Sequence, residues 1–341
     1  MINLHKMLKR LPQSPFSSET VVVPLEGASS DLKYYRIKED DISMIFLETV
    51  GEKSIFRSFI HIGRFLKEKG MGVPEIYYYD LGQCVALIED LGDTSLYSEF
   101  SDGRNKGQFI AFYQRVLETL AEIQVRGAKG MKQCPMLKDK IFDYRVLCWE
   151  TSYFKRYFLQ RYCNLSIENE ERLDREFKYL AQSLAREPLY FMHRDFQSQN
   201  VFIKDGKIRL IDFQGAHQGM LHYDLVSLLK DAYIVIPDHI RKRLMDYYLD
   251  ILKSQWKLDL DRERFEITFS LAGLQRNMQA LGAFSFLSLV KGKERFRQYI
   301  PAGVNYLRSA LKEIPGFDTL KETLTFPLVY QSVSGQICHS K

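Results

Sequence analysis

Near the amino terminus Leu4, Met7, Leu8 and Leu11 recur at i, i+3, i+4 and i+7 ahead of Pro12. That is one apolar helical face, and it predicts a short opening helix. The period then changes. Residues 20–24, 34–38 and 43–50 are β-branched or aromatic runs, broken by Gly27-Ala28-Ser29-Ser30-Asp31 and by Glu39-Asp40-Asp41. They predict three antiparallel strands. Ile55, Phe59, Ile62, Phe65 and Leu66 return to helical spacing and predict an amphipathic helix that stops at Gly70, with Lys67 and Lys69 complementing the negative end of its dipole. Residues 73–80 and 84–90 read as two further strands.

After Leu91-Gly92-Asp93 helical periodicity takes over, at 106–125, 142–162 and 170–184, and again throughout the chain after Tyr223. One β element interrupts it: residues 200–204 and 207–213 flank Asp205-Gly206, a preferred two-residue hairpin turn of type I′. The expected organisation is therefore α+β in two lobes, 1–92 sheet-rich and 93–341 mainly helical, packed together because neither a repeat nor a long polar linker separates them.

Length and composition agree with two lobes. The 341 residues are about twice a usual domain, and a 45% hydrophobic content can fill more than one core. With 27% charged and 13% aromatic residues beside 10 Pro and 20 Gly, disordered and collagen-like classes are excluded. The net charge of +5 comes from interleaved residues of both signs, so no cationic stripe calls for a nucleic acid or an anionic membrane, and a weak attraction for small anions stays open. Cys84, Cys134, Cys148, Cys163 and Cys338 are odd in number and form no C-x-x-C pair, which reads as reduced thiols. The first residues lack a signal-peptide core, and the longest apolar run, 281–290, falls short of the ~20 residues a bilayer needs. A cytoplasmic location is expected.

The chemistry concentrates in Phe191-Met192-His193-Arg194-Asp195-Phe196-Gln197-Ser198-Gln199-Asn200, followed after the hairpin by Ile211-Asp212-Phe213-Gln214. Phosphoryl transfer needs a carboxylate to orient the attacking hydroxyl and take its proton, and oxygen ligands to hold magnesium across the nucleotide phosphates. Asp195, Asn200 and Asp212 supply such oxygens, and the hairpin folds Asp212 back beside Asn200 so that both can reach one ion. His193 reads as a structural histidine.

By these motifs the chain resembles the aminoglycoside phosphotransferase and choline kinase superfamily, small-molecule relatives of protein kinases, over nearly its whole length. Ile211-Asp212-Phe213-Gln214-Gly215-Ala216, the stretch Tyr223-Asp224-Leu225-Val226, and Gly273-Leu274-Gln275-Arg276-Asn277 with Leu281-Gly282-Ala283-Phe284 look like the anomeric sugar kinases. Those enzymes phosphorylate N-acetylmuramate and N-acetylglucosamine at the C1 hydroxyl in bacterial cell-wall recycling.

The resemblance implies a two-lobed protein-kinase-like fold, ATP and Mg2+ as cofactors, Asp195 as catalytic base, Asn200 and Asp212 as metal ligands, and Asp224 as a support of the catalytic loop. In that frame Gly27, Ser29 and Ser30 form a loop whose small residues let backbone N–H groups approach phosphate. The segment with Glu89 and Leu91 becomes the hinge that holds adenine through backbone groups. Gln214, Arg276, Glu150 and Gln275 are candidates for the sugar, Arg276 for a lactyl carboxylate. The implied partners are a small-molecule sugar and ATP, without nucleic acid, membrane or an obligate protein.

One departure stands out. Kinases carry a lysine on the third strand, whereas Ser43-Met44-Ile45-Phe46-Leu47-Glu48-Thr49 has none, an absence shared with the anomeric kinases; Lys53 or magnesium remain to meet the phosphate charge. The alternatives are a kinase for an aminoglycoside or choline, against which mixed Arg262, Arg264, Glu266 and Arg276 argue, and a nucleotide-binding pseudokinase, against which Asp195, Asn200 and Asp212 argue.

Overall fold

The computed structural model describes residues 20–25, 32–49, 51–101 and 106–325. The expected opening helix and the Gly27, Ser29 and Ser30 loop lie outside them.

Strands β1 (Val21–Leu25), β2 (Leu32–Glu39), β3 (Ile42–Thr49), β4 (Ile76–Asp80) and β5 (Val85–Glu89) make one antiparallel sheet in the order β1-β2-β3-β5-β4. Strand alternation gives it two apolar faces. Leu47, Ala86 and Ile88 join the main core with helix α1 (Lys53–Glu68), and Ile37, Phe46, Val85 and Leu87 form a small cluster on the other face. β4 begins three residues later than the apolar run suggests, after Pro74, which has no N–H to give a ladder.

Helix α1 ends as its sequence predicts. Gly70 takes φ +79, its N–H reaches the Lys67 carbonyl at 2.9 Å, and the Met71 N–H reaches that of Leu66 at 2.9 Å, which is a Schellman motif. The next residues lie on the second half of the molecule: a Cβ at Gly72 would stand 2.5 Å from the Ile208 carbonyl oxygen, so only glycine fits.

The remainder is mainly helical. α2 (Leu96–Phe100) and α3 (Phe109–Ala128) are followed by α4 (Tyr144–Phe154), which continues as a π-helical stretch over Lys155–Tyr162. α5 (Glu170–Leu184) precedes the strands β6 (Tyr190–Met192), β7 (Val201–Lys204), β8 (Lys207–Leu210) and β9 (His217–Gly219), with β6 paired to β9 and β7 to β8. Helices α6 (Leu221–Leu229), α7 (Asp238–Ser254) and α8 (Arg262–Leu289) follow, then a 3-10 segment Glu294–Tyr299, α9 (Ile300–Glu313) and α10 (Asp318–Thr325). Every residue of α6 is buried, and α8 is buried along most of its length, so these two helices form the scaffold beneath the site.

The halves meet at Phe213, stacked on Phe59 of α1 at 5.1 Å. A Cβ at Gly63 would stand 3.1 Å from the same ring, so a larger residue there would push it aside. Of the aromatic series on α4 and the π-helical stretch, Phe154 and Phe158 are core residues, whereas Trp149 is exposed and stacks on Tyr153.

Candidate active site

Between β6 and β7 the chain runs through His193 to Asn200, and two buried carboxylates of α6 and its C-terminal end pin it. Asp224 accepts the backbone N–H of His193 at 2.7 Å and of Arg194 at 2.8 Å. Asp231 accepts that of Ser198 at 2.8 Å. These bonds hold Arg194 at φ +78, a left-handed conformation that costs a non-glycine residue on the order of 1–3 kcal/mol. Burial pushes the Asp224 carboxyl up to about 7, against the pull of the two N–H donors. His193 is fully buried with its ring edge-on to Phe196, and burial holds its imidazole down at about 4, so it is neutral and structural.

The Arg194 guanidinium turns away from solvent to Glu150 of α4, at 2.9 Å. Glu150 also accepts the Tyr223 hydroxyl at 2.9 Å and the Gln275 amide at 3.1 Å. Both Glu150 and Gln275 are fully buried. This corrects the expectation that they meet a sugar: they sit behind the loop, satisfying Arg194, with no surface to offer a ligand. Nothing local in the sequence announces that a partner 44 residues away will bury Glu150.

Asp195 stays 38% exposed, with Gly215 next to it. Asn200 donates its amide to the Asp195 carbonyl at 2.9 Å and lies 3.5 Å from Asp212 Oδ2. The turn that brings them together is as anticipated: Asp205 and Gly206 take φ +50 and +70, the two positive values of a type I′ turn. Gln214 donates its side-chain amide to Asp212 Oδ1. Part of Asp212 reaches the cleft, yet desolvation, then the neighbouring Asp195 charge, push its carboxyl up to about 6 against the Gln214 and Asn200 bonds. A carboxylate that is costly to ionise, beside an amide whose nitrogen is already committed, suits a hard divalent cation taking oxygen ligands.

Arg276 is only 7% exposed and reaches the same place from α8. Its Nη2 lies 3.7 Å from Asp195 Oδ1 and 3.2 Å from Gln197 Oε1, while Nε bonds Ser227 and Nη1 bonds Gln279. The structure thus gathers Asp195, Asn200, Asp212, Gln214 and Arg276 at one point.

Above them opens a cleft of about 520 Å³, in the range of small-ligand pockets. Ile45, Ile88, Leu91 and Ile211 line it as an apolar slot, with Asn200 and Asp212 in the same wall. Leu91 is one of the residues of this slot. The Glu89 side chain is engaged elsewhere: it accepts Lys204 at 3.0 Å, Arg209 at 3.1 Å and the Glu75 N–H at 3.1 Å. Burial works against it, but Arg209 and Lys204 win and hold its carboxyl down at about 2. Asp90 next to it accepts Ser43 and pairs with Arg36 of β2 at 2.7 Å.

The missing lysine has a geometric explanation. Ile45 faces the cleft, and the next residue on that face of β3 is Leu47, fully buried in the core with α1. Glu48 points the other way and accepts the Tyr35 hydroxyl at 2.9 Å, and Lys53 is exposed at the start of α1. Sequence reasoning missed Asp231, which had no role attached to it, and Tyr97, Arg295 and Tyr299 on the outer edge of the cleft, which share no motif.

Residues 21–265 match the model of the phosphotransferase enzyme family. The chain is 26% identical over 306 residues to an N-acetylmuramate/N-acetylglucosamine kinase of Pseudomonas aeruginosa, covering 89% of this chain and 87% of that one. It is 23% identical over 313 residues to the enzyme of that name from Neisseria meningitidis serogroup B, covering 88% and 89%. Among solved structures it is similar to a choline/ethanolamine kinase family protein from Mesorhizobium loti, with TM-score 0.63 at 14% identity over 94% of this chain and 97% of the other. An ADP-bound aminoglycoside phosphotransferase aligns with TM-score 0.57 at 14% identity over 90% and 95%. The small antiparallel sheet with a large helical half is thus the kinase-like fold of these proteins.

Proposed function

Because the chain belongs to the phosphotransferase enzyme family, we propose that it is an ATP-dependent sugar kinase acting on the anomeric C1 hydroxyl of N-acetylmuramate or N-acetylglucosamine. The observation that carries the reading is the convergence of Asp195, Asn200 and Asp212, with Asn200 bonded to the Asp195 carbonyl and 3.5 Å from Asp212, and with Asn200 and Asp212 in the wall of the cleft. The names of the relatives support the sugar.

In this reading residues 1–92 bind the nucleotide and 93–341 carry catalysis and the acceptor. Adenine occupies the apolar slot of Ile45, Ile88 and Leu91. Asn200 and Asp212 hold Mg2+, and a cation held there supplies phosphate-neutralising charge that β3 lacks. Asp195 orients the acceptor hydroxyl and takes its proton, and transfer to the sugar is direct, since phosphoryl transfer asks mainly for positioning and charge stabilisation. An anomeric hydroxyl is more acidic than a primary alcohol, so a carboxylate suffices as base. Gln214 and Arg276 flank Asp195 and Asp212 and are the acceptor-side residues; Glu150 and Gln275 act one step back, through Arg194. A reaction that consumes ATP suits the cytoplasm.

Proton-coupled phosphorus NMR on product made from either sugar tests the proposal. Coupling of phosphate to the anomeric proton is expected. Coupling to a C6 methylene, or turnover of choline or an aminoglycoside with no sugar product, would overturn the acceptor assignment.

A further inference from the structure

The cleft extends beyond the hinge and the metal-side residues. Its outer edge is built by Tyr97 of α2 and by Phe296 and Tyr299 of the 3-10 segment Glu294–Tyr299, which comes from the last part of the chain. The hydroxyls of Tyr97 and Tyr299 stand 3.3 Å apart, although 202 residues separate them in sequence. Both rings are braced. Tyr233 packs edge-on against Tyr97 at 6.0 Å and against Tyr299 at 4.4 Å, and Phe284 of α8 lies behind Tyr299 at 5.8 Å.

What this edge faces follows from its neighbours. Ser95 bridges to Phe202, and the Ile203 N–H bonds the Thr94 carbonyl at 2.9 Å, so Tyr97 rides on β7, the hairpin strand that follows Asn200. Asn200 and Asp212 line the cavity, whereas Asp195, Gln214 and Arg276 do not. The cavity is therefore on the nucleotide side of the metal-holding pair, and the acceptor approaches Asp195 from the other side. With the base in the apolar slot at one end and the phosphates at Asn200 and Asp212, the remaining part of a nucleotide is its ribose.

We propose that the Tyr97 and Tyr299 hydroxyls form a ribose-recognising edge of the nucleotide site, contributed in part by the C-terminal 3-10 segment. Each phenol can donate and accept one hydrogen bond, which matches the two vicinal hydroxyls of ribose. The inference rests on the kinase reading above and adds a specificity element to it.

Calorimetric titration of the full chain with magnesium and ADP, 2′-deoxy-ADP or 3′-deoxy-ADP tests it without turnover. Wild type is expected to bind ADP about 5- to 10-fold more tightly than at least one deoxy analogue, the worth of one hydrogen bond. Tyr299→Phe, which keeps the ring and its packing, should lose about that factor on ADP and bind the same analogue as before, with Tyr97→Phe behaving alike. Acceptor KM should stay within about twofold. Equal weakening of ADP and both analogues, or a raised acceptor KM with unchanged ADP binding, would overturn the proposal; the second result would give the edge to the acceptor. ADP binding by wild type without ribose discrimination removes this edge alone, while no ADP binding at all removes the kinase reading with it.

Discussion

Replacing Glu89 by glutamine should loosen the joint between the sheet and the β7–β8 hairpin. The Glu89 carboxylate, at the end of β5, accepts Lys204 of β7, Arg209 of β8 and a backbone N–H at 3.0–3.1 Å, with only 14% of the Glu89 side chain exposed. Its pKa is held at about 2 against an ordinary 4.5. At ~1.4 kcal/mol for each tenfold change in proton affinity, that corresponds to about 3 kcal/mol of stability at neutral pH. Breaking a fully buried pair costs roughly 3–5 kcal/mol, and Lys204 here is 31% exposed, so about 2–3 kcal/mol is the expected loss for Glu89→Gln. Urea unfolding at pH 7 should show it as a lower midpoint with an unchanged slope. The pH dependence has a definite sign. A depressed carboxylate pKa contributes fully above 4.5 and fades as pH falls toward 2, so the variant and wild-type stabilities should converge through that window. A double-mutant cycle with Arg209→Met should give a coupling above ~1 kcal/mol. A midpoint difference that persists undiminished at pH 3, or additive single substitutions, would refute the argument.

Asp195→Asn should lower kcat by at least ~10²-fold while ADP affinity measured by calorimetry stays within about twofold, because the amide keeps the shape and loses the base. Asp212→Ala should abolish the magnesium dependence of ADP binding, read as equal affinity with magnesium and with a chelator. Glu150→Gln leaves the Arg194 cation buried without its counter-charge and should cut kcat about tenfold or more with acceptor KM unchanged; a raised KM with kcat intact would instead make Glu150 a sugar contact.

The parts of the site that could be read from sequence are those specified locally. Asp195, Asn200 and Asp212 are joined by one loop and one Asp205-Gly206 turn, whose backbone preferences belong to those two residues alone. The five strands of the sheet follow from alternation, and α1 from its apolar stripe and the glycine that ends it. What escaped depends on partners far along the chain. Glu150 and Gln275 carry polar side chains on helices, yet Glu150 is engaged by Arg194 and Tyr223, and Gln275 by Glu150, all at long separations in sequence. Tyr97 and Tyr299 come together only through the packing of α8 against the 3-10 segment and the docking of α2 on the hairpin. The late start of β4 was visible in Pro74, whose missing N–H outweighs the apolar pattern around it.

The Arg194–Glu150 pair bears on how such an enzyme is governed. In protein kinases ordered by activation-loop phosphorylation, an arginine awaits a phosphate that arrives from outside and assembles the loop. Here the anion is already part of the chain, sealed against Arg194 by Tyr223 and Gln275, and Asp224 and Asp231 hold the backbone on either side. An added phosphate would find this arginine occupied and out of reach of solvent on that face. The order of this loop is thus set by groups the chain carries itself, so its shape does not wait on a modification.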